Sequence, residues 1–263
     1  MGGAAGFSPS PVPLTGGSLA STLAMNLRPC FVALLLATPL AAQESRDTLR
    51  LGGTIGLVQS SGNSNLLTLN VGEELAWLSG AVALRQTFST VYGRSEGETN
   101  ASSWRASVRG DRRFSPALAV FARAGFDRDR FAGISRRFEE GIGLALVALE
   151  RARDQLQFEL GTDLVQQRTT VGVSDGFVSG RSVARYRRNL GANGTAYAQQ
   201  SVEFLPNLET LEDFRLNSES VLVAPLSKRF ALKVSYVVRL DNQPEPGFAS
   251  TDRMLTSALQ ITL

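Results

Sequence analysis

Apolar and polar side chains alternate along most of this chain with a period of two, and the cleanest run lies near its end. Leu232, Val234, Tyr236, Val238 and Leu240 share one face of a segment whose other face carries Lys233, Ser235, Val237 and Arg239. That period belongs to a β-strand, whose successive side chains point to opposite faces; a helix repeats every 3.6 residues. After a turn-rich stretch at 241–247 the alternation resumes, setting Leu255, Leu259, Ile261 and Leu263 against Thr256, Gln260 and Thr262. The same rhythm occupies 48–58, 65–77, 82–92 and 104–113 and continues to the end of the chain. Short connections, such as those at 114–116, 151–154 and 226–228, alternate with longer ones at 93–100, 128–136, 169–180, 205–212 and 241–250. Tight turns at one end and longer loops at the other are the mark of an up-and-down barrel in an outer membrane. The pattern therefore predicts an all-β fold, a single antiparallel transmembrane β-barrel of about 12 strands, with both ends of the chain on the tight-turn, periplasmic side.

Alternation alone is also compatible with a soluble periplasmic β-sandwich or barrel that binds a ligand, because a sandwich likewise has an apolar and a polar face. Three features favour the membrane barrel. The strands are about 10 residues or longer, enough for a tilted crossing; the connections are asymmetric; and the last strand runs to Leu263 with no polar tail. Leu255, Leu259, Ile261 and Leu263 thus form a candidate C-terminal insertion signal. Glu73 falls in the apolar register of its strand, which places it near the periplasmic rim unless a bulge shifts the register.

The N-terminal region divides the chain further. Residues 25–42 have the form of a secretory signal peptide: Arg28, an apolar run from Phe31 to Leu36, and Ala41-Ala42 before the cut. Residues 1–24 read as a mis-called extension and 43–263 as the barrel domain. The apolar run is shorter than the about 20 residues that a membrane helix needs.

Composition narrows the chemistry. The formal charge is +3, spread along the chain, which speaks against a nucleic-acid-binding stripe. The chain has no histidine, and its one cysteine, Cys30, lies inside the signal peptide. Disulfides, thiolate or imidazole metal sites and histidine-activated nucleophiles are thereby removed, so no catalytic, metal-binding or cofactor-binding residue is assigned and no cofactor is expected. An outer-membrane hydrolase would need a serine or carboxylate site working without histidine. Glu139 and Glu140 face opposite ways, and Glu159 and Asp163, though on one face, stand roughly 13 Å apart along a strand. Gly141 and Gly143 lie within a strand, where they allow the wall to bend.

The charged positions on the polar faces are instead candidates for the lumen lining: Arg85, Arg123, Asp127, Asp129, Glu159, Asp163, Arg185, Lys233 and Arg239. As pore-lining charges they would tune selectivity; as filling they would pair off across the interior.

Several motifs resemble those of the salt-induced outer-membrane proteins, a family of unknown function. They are Asp129-Arg130-Phe131-Ala132-Gly133-Ile134, Arg136-Arg137 and Gly141-Ile142-Gly143-Leu144 in the middle, and Leu226-Ser227-Lys228, Asp241-Asn242, Pro244 and Thr251-Asp252 toward the end. Ser61-Gly62-Asn63-Ser64 matches the polar turn after the first strand. Two departures are the non-aromatic Leu263 and Ala145 after Leu144. The resemblance implies an outer-membrane barrel linked to salt or osmotic conditions, with no catalytic residues. A porin-like channel or a structural envelope protein follows, in contact with outer-membrane lipid, inserted by the barrel-assembly machinery and binding no nucleic acid. Its oligomeric state is left open by the sequence.

Overall fold

The computed structural model describes residues 47–60, 66–95, 98–191 and 196–262. The proposed extension and signal peptide, the turn at 61–64 and Leu263 lie outside the described residues. The strands are β1 (Thr48–Ser60), β2 (Leu66–Ser79), β3 (Val82–Ser95), β4 (Glu98–Arg113), β5 (Leu118–Asp129), β6 (Ile134–Glu150), β7 (Asp154–Thr169), β8 (Ser174–Leu190), β9 (Ala196–Pro206), β10 (Phe214–Pro225), β11 (Phe230–Asp241) and β12 (Thr251–Thr262). Each pairs antiparallel with its neighbours in sequence, and β1 pairs with β12, closing the barrel. One closed sheet has no second sheet to pack on, so the sandwich alternative does not hold.

Closure removes both sheet edges, but not evenly. β1 meets β2 over thirteen residue pairs, from Thr48↔Leu78 to Ser60↔Leu66. It meets β12 over only four, from Gly52↔Thr262 to Ile55↔Leu259. The seam between the two ends of the chain is the shortest junction in the wall among the described residues.

The longer connections expected from the sequence are mostly strand. β3 runs to Ser95 and β4 starts at Glu98, its partner in register, so most of the polar stretch at 93–100 is strand. β6 and β8 each reach 17 residues and absorb most of 128–136 and 169–180. A 3₁₀ turn, Arg130–Ala132, links β5 to β6. The connection at 242–250 remains a true loop. At the other end two equivalent turns use the same hydrogen bonds. Ser115 Oγ accepts from the amides of Ala117 and Leu118, and Ser227 Oγ from those of Arg229 and Phe230. A hydroxyl accepting amides two and three residues on is the turn chemistry of serine.

The alternation is realised in most of the central rows. Leu51, Ile55, Leu84, Val108, Val120, Ile142, Leu144, Leu160 and Leu255 are exposed on the outside; Ile142 and Leu160 are each 66% accessible. Aromatic rings flank this band. Toward the loop end Trp104 stacks on Phe126 with centroids 4.5 Å apart, and Phe138 meets Phe126 edge to face at 4.6 Å. Phe114 and Phe230 lie toward the turn end and are exposed. β2 pairs with both neighbours without a register shift, so no bulge rescues Glu73; it faces outward midway along its strand, not at the rim.

Candidate functional site: a lumen with two unlike walls

The inward rows of β4 to β10 carry arginines and carboxylates two residues apart, and the barrel's curvature brings them into one network. Arg109 of β4 donates to Asp111 (2.7 Å) and, reaching past β5 and β6, to both oxygens of Glu159 on β7 (2.8 and 2.9 Å). Arg181 of β8 donates to Glu159 (2.6 Å) and Glu203 (2.8 Å). Toward the loop end from them Arg123 holds Asp163 through Nε (2.9 Å) and Glu139 through Nη2 (3.0 Å), and Arg215 of β10 also reaches Glu139 (3.1 Å). Forked, charge-assisted contacts of this kind are the strong ones. The side chains of Glu159 and Asp163 are 4% and 1% exposed, so their arginines supply the polar partners that water does not.

Two residues make room for the network. Gly141 sits where a Cβ would overlap the Asp163 carboxylate, and a Cβ at Gly143 would come within 2.6 Å of the Phe121 ring. The register is unbroken at both glycines. Both therefore give clearance for inward side chains with no bulge in the wall. Phe121, 1% exposed, lies beneath Arg109 with the guanidinium carbon 4.0 Å from the ring centroid. This cation–π contact gives the network an apolar floor.

At mid-height the opposite wall, β12, β1 and β2, is lined by small or uncharged groups: Thr256, Ala258, Thr54, Asn70 and Gly72. Side chains there do not reach across, which leaves a cavity of ≈ 360 Å³ against this wall. A further space of ≈ 550 Å³ opens at the turn end, and one of ≈ 320 Å³ toward the loop end. The middle cavity is lined by five cations, Arg105, Arg181, Arg185, Lys233 and Arg239, and three acids, Asp127, Glu203 and Glu219, a balance of 5 − 3 = +2.

One pair crosses the lumen completely. Arg239 of β11 stands 3.5 Å from Asp129 of β5, and these strands lie six apart in a ring of twelve. Above it the 3₁₀ turn meets the 242–250 loop. Gly133, at φ 76°, has Glu245 and Phe248 so close that a Cβ would come to 3.0 Å of Glu245.

The lumen candidates named from sequence all lie on inward rows, in different settings. Arg123 and Asp163 are partners, as are Arg239 and Asp129. Asp127 accepts from Arg105 (3.0 Å), and Glu159 is shared by Arg109 and Arg181. Arg185 is 3.8 Å from Glu159, Lys233 4.0 Å from Glu219, and Arg85 3.1 Å from Glu74 near the turn end. Leu255, Leu259 and Ile261 face outward on β12. Arg105, Arg109, Arg181, Glu203 and Arg215 were missed as members; the parity of their positions marks them as inward, but only strand order shows whom they meet. Among the described residues no group of three or more His, Cys, Asp or Glu could hold a metal ion.

The model of the family described as "Protein of unknown function, DUF481" matches residues 53–262, nearly the whole barrel. The chain belongs to that family. The match spans the motifs on which the resemblance to the salt-induced outer-membrane proteins rests. Among curated relatives, the DUF481 barrel described here is 25% identical over 210 residues to "Uncharacterized protein YdiY" of Escherichia coli (strain K12), covering 78% of this chain and 79% of that protein. Similar solved structures include the translocator domain of autotransporter NalP from Neisseria meningitidis, with a TM-score of 0.44 and 10% identity over 84% of this chain and 89% of that one. The NanC porin gives a TM-score of 0.44 and 11% identity over 82% and 98% of the two chains.

Proposed function

We propose that this barrel spans the bacterial outer membrane and provides a narrow passage for small hydrophilic solutes, favouring anions, without enzymatic activity. The observation that carries the reading is the row of cavities beside β11, β12, β1 and β2, whose middle member has a lining charge of +2. A polar lumen inside an apolar outer band is what a membrane barrel requires, and fixed charge at a constriction selects ions by sign. The aromatic rings above and below the band would sit at the two membrane interfaces. On this reading the tight turns face the periplasm, the outer surface contacts lipid, and insertion depends on the barrel-assembly machinery reading the outward Leu255, Leu259 and Ile261.

A purely structural envelope protein is the second reading, favoured by the Arg239–Asp129 bar. The bar also accommodates the link to salt that the family resemblance implies, because a partly exposed pair at 3.5 Å weakens as ionic strength rises.

Planar-bilayer recording on the purified protein distinguishes the two. A small, anion-preferring conductance is expected, and the double variant Arg185→Glu, Lys233→Glu should reverse the preference. Silence at all voltages and salt concentrations would leave the structural reading.

A further inference from the structure

The turn end of the lumen opens into the ≈ 550 Å³ vestibule, and its charge is more lopsided than that of any other lumen cavity described above. Arg50, Arg85, Arg187, Lys228 and Arg229 line it against Glu74 and Asp111, a balance of 5 − 2 = +3. Both acids are already committed: Glu74 to Arg85 at 3.1 Å and Asp111 to Arg109 at 2.7 Å. Among the described residues, Arg50, Lys228 and Arg229 form no ion pair.

Arg187 is held ready. Its guanidinium carbon lies 3.7 Å from the centroid of the Tyr197 ring, and Nε donates to Asn189 Oδ1 at 3.2 Å. Stacking and this bond fix the plane of the fork while both Nη groups stay without a protein acceptor among the described residues. A planar fork with fixed orientation loses little entropy on engaging an oxyanion, which is why arginine recognises phosphate and carboxylate geometry. Cations around a concave space with low-dielectric walls concentrate anions there. The volume is in the range of small-molecule sites.

We propose that this vestibule is a binding site for multivalent oxyanions, phosphate-bearing solutes in the first place, with Arg187 as the orienting fork and Arg50, Lys228 and Arg229 as the surrounding charge. The inference deepens the passage reading by naming the class of solute met at the turn end, and it rests on that reading for what becomes of the solute afterwards. The same phosphate chemistry could come from a free solute or from a phospholipid headgroup at the rim. Arg187, inside the lumen wall, separates the two.

The test is calorimetric titration of the full chain, folded in nonionic detergent, with sodium pyrophosphate at constant ionic strength. Saturable binding is expected, weakened at least tenfold by Arg187→Gln and partly restored by Arg187→Lys. Arg151→Gln with Arg153→Gln, in another turn at the same end, should leave it unchanged. If Arg187→Gln does not give a folded, heat-modifiable band, the surface double variant Lys228→Gln, Arg229→Gln is read instead and should weaken binding severalfold. No saturable heat, or equal loss in the control turn, overturns the site. Binding that is displaced by phosphatidylglycerol and indifferent to Arg187 overturns it in favour of a headgroup contact. Pyrophosphate binding without conductance would keep the site and remove the passage; conductance without binding would do the reverse.

Discussion

At the scale of single residues the barrel depends on clearances as much as on contacts. Asp163 is nearly inaccessible, and Arg123 reaches it across β6 over Gly141, which has no side chain. Breaking a buried pair on one side costs about 3–5 kcal/mol, since the remaining charge is stranded. Gly141→Ala attacks the pair indirectly by pushing the carboxylate away. It should lower stability by roughly 1–3 kcal/mol, the usual range for overpacking, read as an earlier urea midpoint of the heat-modifiable form. Gly125→Ala is the control, because its Cβ would find nothing closer than 3.9 Å and should shift the midpoint little. Sequence parity placed Arg123 and Asp163 on inward faces. It could not pair them, because their meeting depends on β6 lying between them and on which β6 residue lacks a side chain.

At the scale of elements, the strand number and the in–out order of the faces were legible from the alternation, while the strand ends were not. Apolar alternation stops where the wall leaves the apolar layer, but the backbone ladder continues. β6 and β7 carry on upward with Arg137 and Gln167 joined side by side at 2.8 and 3.0 Å. A reading based on side-chain polarity therefore ends each strand early and lengthens each loop. The same reasoning could not detect uneven pairing. Toward the loop end, β12 between Thr251 and Ala258 has a full partner in β11 and none in register on the β1 side. Amide exchange in micelles is expected to be faster over Arg253–Ser257 than over Ala119–Arg123 of β5, which is paired on both sides. Equal protection would mean that the seam is sealed along its length in solution.

At the scale of the whole molecule, two walls of different character share one tube. The wall from β4 to β10 is cross-braced by ion pairs, and the opposite wall leaves space for water and solute beside it. Sequence could assign charge to the lumen but not its lopsided distribution, which follows from which strands become neighbours on closure. The Arg239–Asp129 ion pair joins strands six apart in the ring, so Arg239→Ala should raise single-channel conductance and reduce its dependence on salt. An unchanged conductance would place the constriction elsewhere.

The short seam has a consequence for how the barrel is made. Thr54 and Gln260 face each other across it yet lie 260 − 54 = 206 positions apart, whereas each hairpin joins residues close in the chain. Ring closure costs entropy as (3/2)RT ln n, roughly 2 kcal/mol more here than for a hairpin. The contact with the highest entropic cost is thus secured by the fewest register pairs. Eleven junctions can zip up locally; the twelfth must wait for them, so the last species before completion is a curled ribbon with β1 and β12 as free edges. Such edges are templates for another strand. The time spent in that form, set by four pairs out of a whole wall, is the interval in which those edges stand open to another strand.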